Sequence, residues 1–384
     1  MKRPRAGATA AVAAALILSG IGSELIARPV WDWQYRVVTG RILKSFHYID
    51  SSDNVMRNKP GTWTYRQLHD ELTRDGRHLG ADDLERLAAD YHLRPDDVVL
   101  AINRQGFLGP ELRERAPGRR RLVAIGDSVT FGPYYLPMSY PRVMERAFAE
   151  RGADVEVVNT AVQGYSLQKV LRRLDDFLAL EPDVITVMIG WNQTLIRADP
   201  AKNEYLYRHS ALYRFAYHLW SQTTSPTQYP GDPQNYYDPN EPFVARLRAT
   251  TFEWDLRDWA ELTSRIRARL PHCRIVVLGL AGLFQEGVEP DAAAMRMGYA
   301  VTFTPNLAAW EVLAGIYNRK LAEFARREGL QFVDVAAWSR EAFVPRSSFF
   351  IDSVHPNSRG YDLMGRFIAG EVLRAGVAAE PAAP

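Results

Sequence analysis

Sulfur chemistry is nearly absent from this chain. Cys273 is the single cysteine among 384 residues, so no intrachain disulfide and no cysteine-based zinc site can be built. It stands just before the apolar run Ile275 to Leu280 and reads as a buried, inert thiol rather than a nucleophile. A dominant charge is lacking too: 47 Lys and Arg face 45 Asp and Glu, and a net charge of +2 is too small to imply a polyanionic partner. The local run Arg113, Arg115, Arg119, Arg120 and Arg121 reads as a solvated linker ahead of a strand. No basic-aromatic groove pattern recurs elsewhere, so nucleic acid is not an expected partner. With 47% hydrophobic and 24% charged residues, the composition also excludes a disordered chain and a polytopic membrane protein.

One long apolar run is present, at the N-terminus. Lys2, Arg3 and Arg5 precede an Ala/Leu/Ile-rich stretch from about Ala6 to Ile26 whose one acid is Glu24. Its length is close to the roughly 20 residues that span a bilayer. The basic flank keeps the first residues cytoplasmic and sends the remainder outward. Residues 1–27 are therefore expected to be a membrane anchor, with the rest on the periplasmic or extracellular side. A cleaved signal peptide is the alternative, since Gly20 and Gly22 supply small residues although Ala-x-Ala is missing.

Residues 28–118 mix aromatics, charges and short helical signals, such as Leu84, Leu87 and Ala88 on one helical face, and read as an accessory region without evident chemistry. From residue 119 to 376 the rhythm changes. Leu122 to Ile125, Val155 to Val158, Val184 to Ile189, Ile275 to Leu280 and Phe332 to Val335 read as buried strands, with amphipathic helices between them. Alternation of this kind predicts an α/β fold: a doubly wound, flavodoxin-like parallel sheet of five strands with helices on both faces. An insertion over about 195–250, rich in Tyr, Pro and Asn, is expected to cover the active edge. Its aromatics Tyr205, Tyr207, Tyr213, Phe215, Tyr217 and Trp220 read as packing. The stretch Phe284 to Pro305 is a second candidate loop near the site, and 377–384 reads as a disordered tail.

The chemistry concentrates where strands end. Gly126-Asp127-Ser128 follows the first strand, which puts Ser128 at a carboxyl end, where open α/β sheets bind ligands. A Gly-Asp-Ser turn alone would usually be a helix cap. A serine hydroxyl attacks at neutral pH only when a base takes its proton, and histidine is best matched to that task. His355 lies in Asp352-Ser353-Val354-His355, a loop able to return the Asp352 carboxylate to Nδ1 and leave Nε2 for the serine. An Asp/His metal pair is the weaker reading, because no third ligand has suitable spacing. Gly164, after the second strand, and Asn192, after the third, are candidate donors to a developing oxyanion, through a backbone N–H and a side-chain amide.

These blocks resemble the SGNH hydrolase family, also called GDSL-like esterases and lipases, over roughly Arg121 to Ala375. The resemblance implies Ser128 as nucleophile, Asp352 and His355 as its Asp-x-x-His partners, and an oxyanion hole of the Ser128 N–H, the Gly164 N–H and the Asn192 side chain. It implies no metal and no cofactor. One departure is Gln193, where the family often has Asp. The element Asn103 to Phe107, Asn-x-x-Gly-Phe, is similar to one in the exported, membrane-anchored bacterial subgroup. Expected partners are then an acylated glycan, lipid or small ester, and the membrane through the N-terminal helix. An O-acyltransferase using the same triad, or a catalytically silent carbohydrate- or lipid-binding module, remains an alternative. A flavodoxin-like nucleotide-binding protein fits the sheet but would need a glycine-rich phosphate loop that is missing.

Overall fold

The computed structural model describes residues 22–30, 49–50, 56–74, 78–195, 198–199, 202–224 and 231–377. Most of the expected anchor, residues 1–21, and of the tail, 378–384, therefore lies outside the described residues. Among the described residues no helix is long and apolar enough to cross a membrane.

The accessory region holds two small antiparallel pairs, β1 (Ile49–Asp50) with β2 (Arg57–Asn58), and β3 (Gly61–Thr64) with β4 (Val98–Ile102). Helices α1 (Tyr65–Thr73) and α2 (His78–Tyr91) fill the β3–β4 connection. Thr64 starts α1 with a capping box, its hydroxyl accepting from the Gln67 N–H while the Gln67 side chain accepts from the Thr64 N–H. The region does not stand apart from the domain that follows. Leu108 bridges Ile102 on one side and Asn159 on the other, so the β3–β4 pair is joined to the edge of the main sheet.

That sheet contains β5 (Arg120–Gly126), β6 (Val155–Asn159), β7 (Val184–Met188), β8 (Arg274–Leu278) and β9 (Gln331–Val333), all parallel, in the order β6-β5-β7-β8-β9. The five expected strands are all present. Residues 122–125, 184–188 and 275–278 are buried on both faces, which explains why they are apolar at every position but Thr186. Helices α3 (Tyr140–Ala149) and α9 (Ser358–Val372) pack together, while α6 (Glu253–Arg269) packs on both α4 (Leu167–Leu178) and α7 (Ala308–Arg327). The chain order reverses between β5 and β7, which opens a crevice at their carboxyl ends.

Two boundaries differ from the sequence reading. Phe332 to Val335 was expected as strand throughout, but Asp334 caps a helix, α8 (Val335–Ala342), by accepting from the Ala337 N–H. A capping carboxylate outweighs the β-preference of one valine. The insertion is helical in part, with α5 at Ala211–Thr224. Its aromatics pack on each other as expected: Tyr213 stacks on Tyr217, which meets Tyr207 edge-on and donates to Asp199. Residues 231–241 then dock on the second candidate loop, with the Gly231 N–H donating to the Gly298 carbonyl and the Tyr236 N–H to the Pro305 carbonyl. Cys273 is half-buried rather than fully so, and burial, with Asp183 nearby, pushes its thiol up to about 12. The expectation of an inert thiol agrees with that.

Candidate active site

The Ser128 turn begins at a point of very close packing. A Cβ on Gly126 would come within 1.9 Å of Thr130 Oγ1 and 2.5 Å of the Met188 carbonyl, so only glycine lets β5 turn there. Asp127 follows in an extended conformation and caps the short helix Ser128–Phe131, its carboxylate accepting from the Val129 N–H at 3.1 Å. The capping role considered for this turn is therefore filled by Asp127. Ser128 is left as the first helical residue, partly exposed, with no carbonyl one turn back to accept its N–H.

His355 arrives from the loop before α9. Ile351 N–H donates to the His355 carbonyl at 2.9 Å and Asn357 N–H to the Phe349 carbonyl at 2.8 Å, closing a tight turn. Within it, Asp352 Oδ1 accepts from the Val354 and His355 N–H groups, both at 2.8 Å. Asp352 Oδ2 lies 2.8 Å from His355 Nδ1, and His355 Nε2 lies 2.8 Å from Ser128 Oγ. A carboxylate only accepts, so Nδ1 carries the proton and Nε2 is free to accept from the serine hydroxyl. The expected loop between residues 284 and 305 supports this turn, since Ser353 Oγ donates to the Tyr299 carbonyl and accepts from its N–H.

Gly164 is exposed and holds φ +74°, a conformation suited to glycine. Asn192 Nδ2 donates to the Tyr165 carbonyl at 3.0 Å, which ties the two donor segments expected from sequence to one another. One amide proton is committed there, and the second remains for a ligand.

Charge balance sets the protonation states. Burial raises the Asp352 carboxyl, but the adjacent imidazole and three hydrogen bonds outweigh it and hold the group below its ordinary value. Burial lowers His355, yet Asp352, with Asp127 and Asp83 behind it, leaves the imidazole above its ordinary value. Asp127 is wholly buried, and burial lifts it to about 6 against the pull of the Val129 N–H, His355 and the N–H groups of Trp191 and Gly190. Its Oδ2 has no hydrogen-bond partner.

All five expected residues, Ser128, Asp352, His355, Gly164 and Asn192, fall at the carboxyl end of the sheet or on the loop that reaches it. Among the described residues no group of three His, Cys, Asp or Glu side chains could hold a metal. Sequence reasoning missed Asp83. This buried carboxylate on α2 is paired with Arg86 and is close enough to act electrostatically on His355. The one available signal was its place beside the apolar face of Leu84 and Leu87.

The chain is similar to several known proteins. A stretch of 85 residues is 34% identical to an arylesterase from Vibrio mimicus, covering 21% of this chain and 42% of that esterase's length. An acetylxylan esterase from Geobacillus stearothermophilus superposes with a TM-score of 0.41 at 17% identity, covering 66% of this chain and 94% of that one. A candidate GDSL-like lipase from Parabacteroides merdae gives 0.42 at 16% identity, over 67% of this chain and 97% of the other. The model of the GDSL-like lipase/acylhydrolase family matches residues 124–363, from within β5 to within α9 and thus across all five site residues. Matched over more than half its length, the chain belongs to the GDSL-like lipase/acylhydrolase family.

Proposed function

We propose that this protein is a serine-dependent ester hydrolase working through an acyl-enzyme, with Ser128 as nucleophile, His355 as general base and Asp352 as its orienting partner. The observation that carries the reading is the unbroken Ser128–His355–Asp352 series, with both contacts at 2.8 Å. Ser128 Oγ attacks the ester carbonyl carbon while its proton passes to His355 Nε2, and the carbonyl oxygen becomes an oxyanion. The Ser128 and Gly164 N–H groups and the free Asn192 amide proton are its donors. Collapse breaks the bond to the alcohol oxygen, which takes the proton from Nε2. A water molecule then repeats the sequence and frees the acid. An acceptor hydroxyl in place of that water makes the same triad an acyltransferase. With p-nitrophenyl acetate, the parent should turn over and Ser128→Ala should fall by at least about 10³ in kcat; equal rates in the two exclude the proposed nucleophile.

The substrate we assign is an O-acyl group, acetyl or another short chain, on an envelope glycan or lipid. That assignment rests on an anchored, exported location for the enzyme. Glu24 supports the location: its carboxylate accepts from Ser210 Oγ at 2.7 Å and from the Ala211 and Leu212 N–H groups, joining the end of the apolar run to the start of α5. Leu25 and Ile26 beside it are 66% and 69% exposed, and Leu212, Leu219 and Trp220 are exposed on α5. Exposed apolar side chains at residues 25 and 26 and on α5 fit a bilayer. Full-length protein should stay with membranes through high-salt and carbonate washes, and recovery in the soluble fraction with an intact N-terminus would refute the anchor.

A further inference from the structure

We propose that the accessory region supplies the positioning residues of the oxyanion side, through the turn Asn103–Phe107 and the segment Met56–Asn58. This inference rests on the ester-hydrolase reading above, and it gives the Asn-x-x-Gly-Phe element a physical role.

Asn103 builds the turn. Its Oδ1 accepts from the Gln105 and Phe107 N–H groups at 3.1 and 3.0 Å, and its Nδ2 donates to the Pro110 carbonyl at 3.1 Å. Gly106 holds φ +81°, and a Cβ there would sit 2.9 Å from the Asn58 carbonyl, so glycine is required for that contact. Asn58, 3% exposed, sends its Nδ2 to two carbonyls, Gly106 at 3.4 Å and Ala161 at 2.9 Å. Ala161 lies three residues before the oxyanion glycine.

Met56 fastens the other side of the same loop. Its carbonyl accepts from the Tyr165 hydroxyl at 2.6 Å, and its methyl lies 3.8 Å from where a Gly164 Cβ would stand. The buried Lys169 ammonium contacts both the Met56 thioether and the Gly164 carbonyl. Met56 itself holds φ +64°, a left-handed conformation costing about 1 kcal/mol or more in a non-glycine residue, so its surroundings fix it. Gly164 is thus held between two residues bonded to the accessory region. Tyr165, the second of them, also carries the carbonyl that orients Asn192. An exposed loop centred on a positive-φ glycine has little of its own to define where its N–H points, and these bonds define it.

The test uses the full chain with Asn58→Ala and Tyr165→Phe, assayed on p-nitrophenyl acetate and on its thiono analogue, whose sulfur accepts hydrogen bonds weakly. Loss of an oxyanion donor costs about 10² to 10³ in kcat; a misplaced donor should cost about tenfold or more, with KM within about twofold. The oxygen-to-sulfur rate ratio should fall, because the sulfur ester never had the full benefit of the donors. The acid limb of the pH profile should not move, since His355 is untouched. Tyr165→Phe removes one oxygen, so it still reports if Asn58→Ala fails to fold. Equal losses on both esters, or parent-like rates in Tyr165→Phe, overturn the inference while leaving Ser128-dependent turnover in place. A parent without Ser128-dependent turnover removes both readings.

Discussion

The two sides of the Ser128 hydroxyl are built in opposite ways. On the base side, Asp352 and His355 stand three residues apart in one turn, and that turn makes five of its own hydrogen bonds. On the oxyanion side, the loop at Gly164 and Asn192 depends on bonds from residues 56–58, about a hundred positions earlier. A group oriented by its sequence neighbours can be recognised locally, whereas a backbone N–H oriented by distant segments depends on the whole fold. The contrast predicts that damage on the base side changes both rate and pH dependence, while damage on the oxyanion side changes rate alone.

The largest effect tests the base side. Asp352→Asn keeps the shape but removes the charge that fixes the Nδ1–H tautomer, and kcat should fall by about 10⁴. In the parent, His355 is held above its ordinary value, so activity should rise with pH through an apparent pKa above about 6.5 as the imidazole loses its proton. Residual activity of Asp352→Asn should rise at a lower pH than in the parent. An unchanged acid limb would separate Asp352 from the titrating base.

Next in size is Asn192→Ala, which removes the side-chain donor and should lower kcat by about 10² to 10³. Its KM should change little, and its acid limb should coincide with that of the parent. A shift of that limb would mean that the two sides are electrostatically one unit, and the contrast between them would fail.

The strands and the Ser128–His355–Asp352 arrangement were legible because each is a short-range pattern. Val184 to Met188 is apolar but for Thr186, since both faces of β7 are covered, and Asp352 with His355 form one short motif. The start of α8 was hidden because Val335 reads as strand until Asp334 is seen to accept from the Ala337 N–H. Asp83 and Asn58 were hidden for another reason. Each is a polar residue in a segment of mixed character, and burial beside a site formed far along the chain leaves no periodic trace. The motif at Asn103 was visible as a resemblance, but its purpose emerges only from the Gly106–Asn58 contact.

Asp127 gives a smaller effect, read in stability. Its folded value of about 6 exceeds the ordinary carboxyl value of about 3.9, so between those pH values the folded state binds more protons than the unfolded state. Linkage then makes stability decline as pH rises through that window, by at most about 3 kcal/mol for a shift of this size. The sign is opposite to that of Asp352, whose lowered value adds stability that is lost on acidification. Asp127→Asn retains a cap and removes the titration. Comparing denaturant midpoints of parent and variant from pH 4 to 7 should show the gap moving in the variant's favour, and a constant gap would contradict the burial argument.

The smallest expected effect isolates what attaches the accessory region. Arg57 Nη1 lies 2.8 Å from Asp176 Oδ2, one residue from Asn58, and resembles an obvious fastening between the two regions. Both partners are open to solvent, at 46% and 39% exposure, so water screens the pair and the long arginine gives up side-chain freedom to make it. Arg57→Ala should therefore change stability by no more than about 1 kcal/mol and leave kcat at the parent value. Asn58 makes uncharged bonds, but they are shielded from water, and losing its donor leaves the Ala161 carbonyl unsatisfied at about 1–3 kcal/mol. If Arg57→Ala lowered kcat as much as Asn58→Ala, general attachment of the accessory region would explain both results, and the specific hold on the oxyanion loop would lose its support.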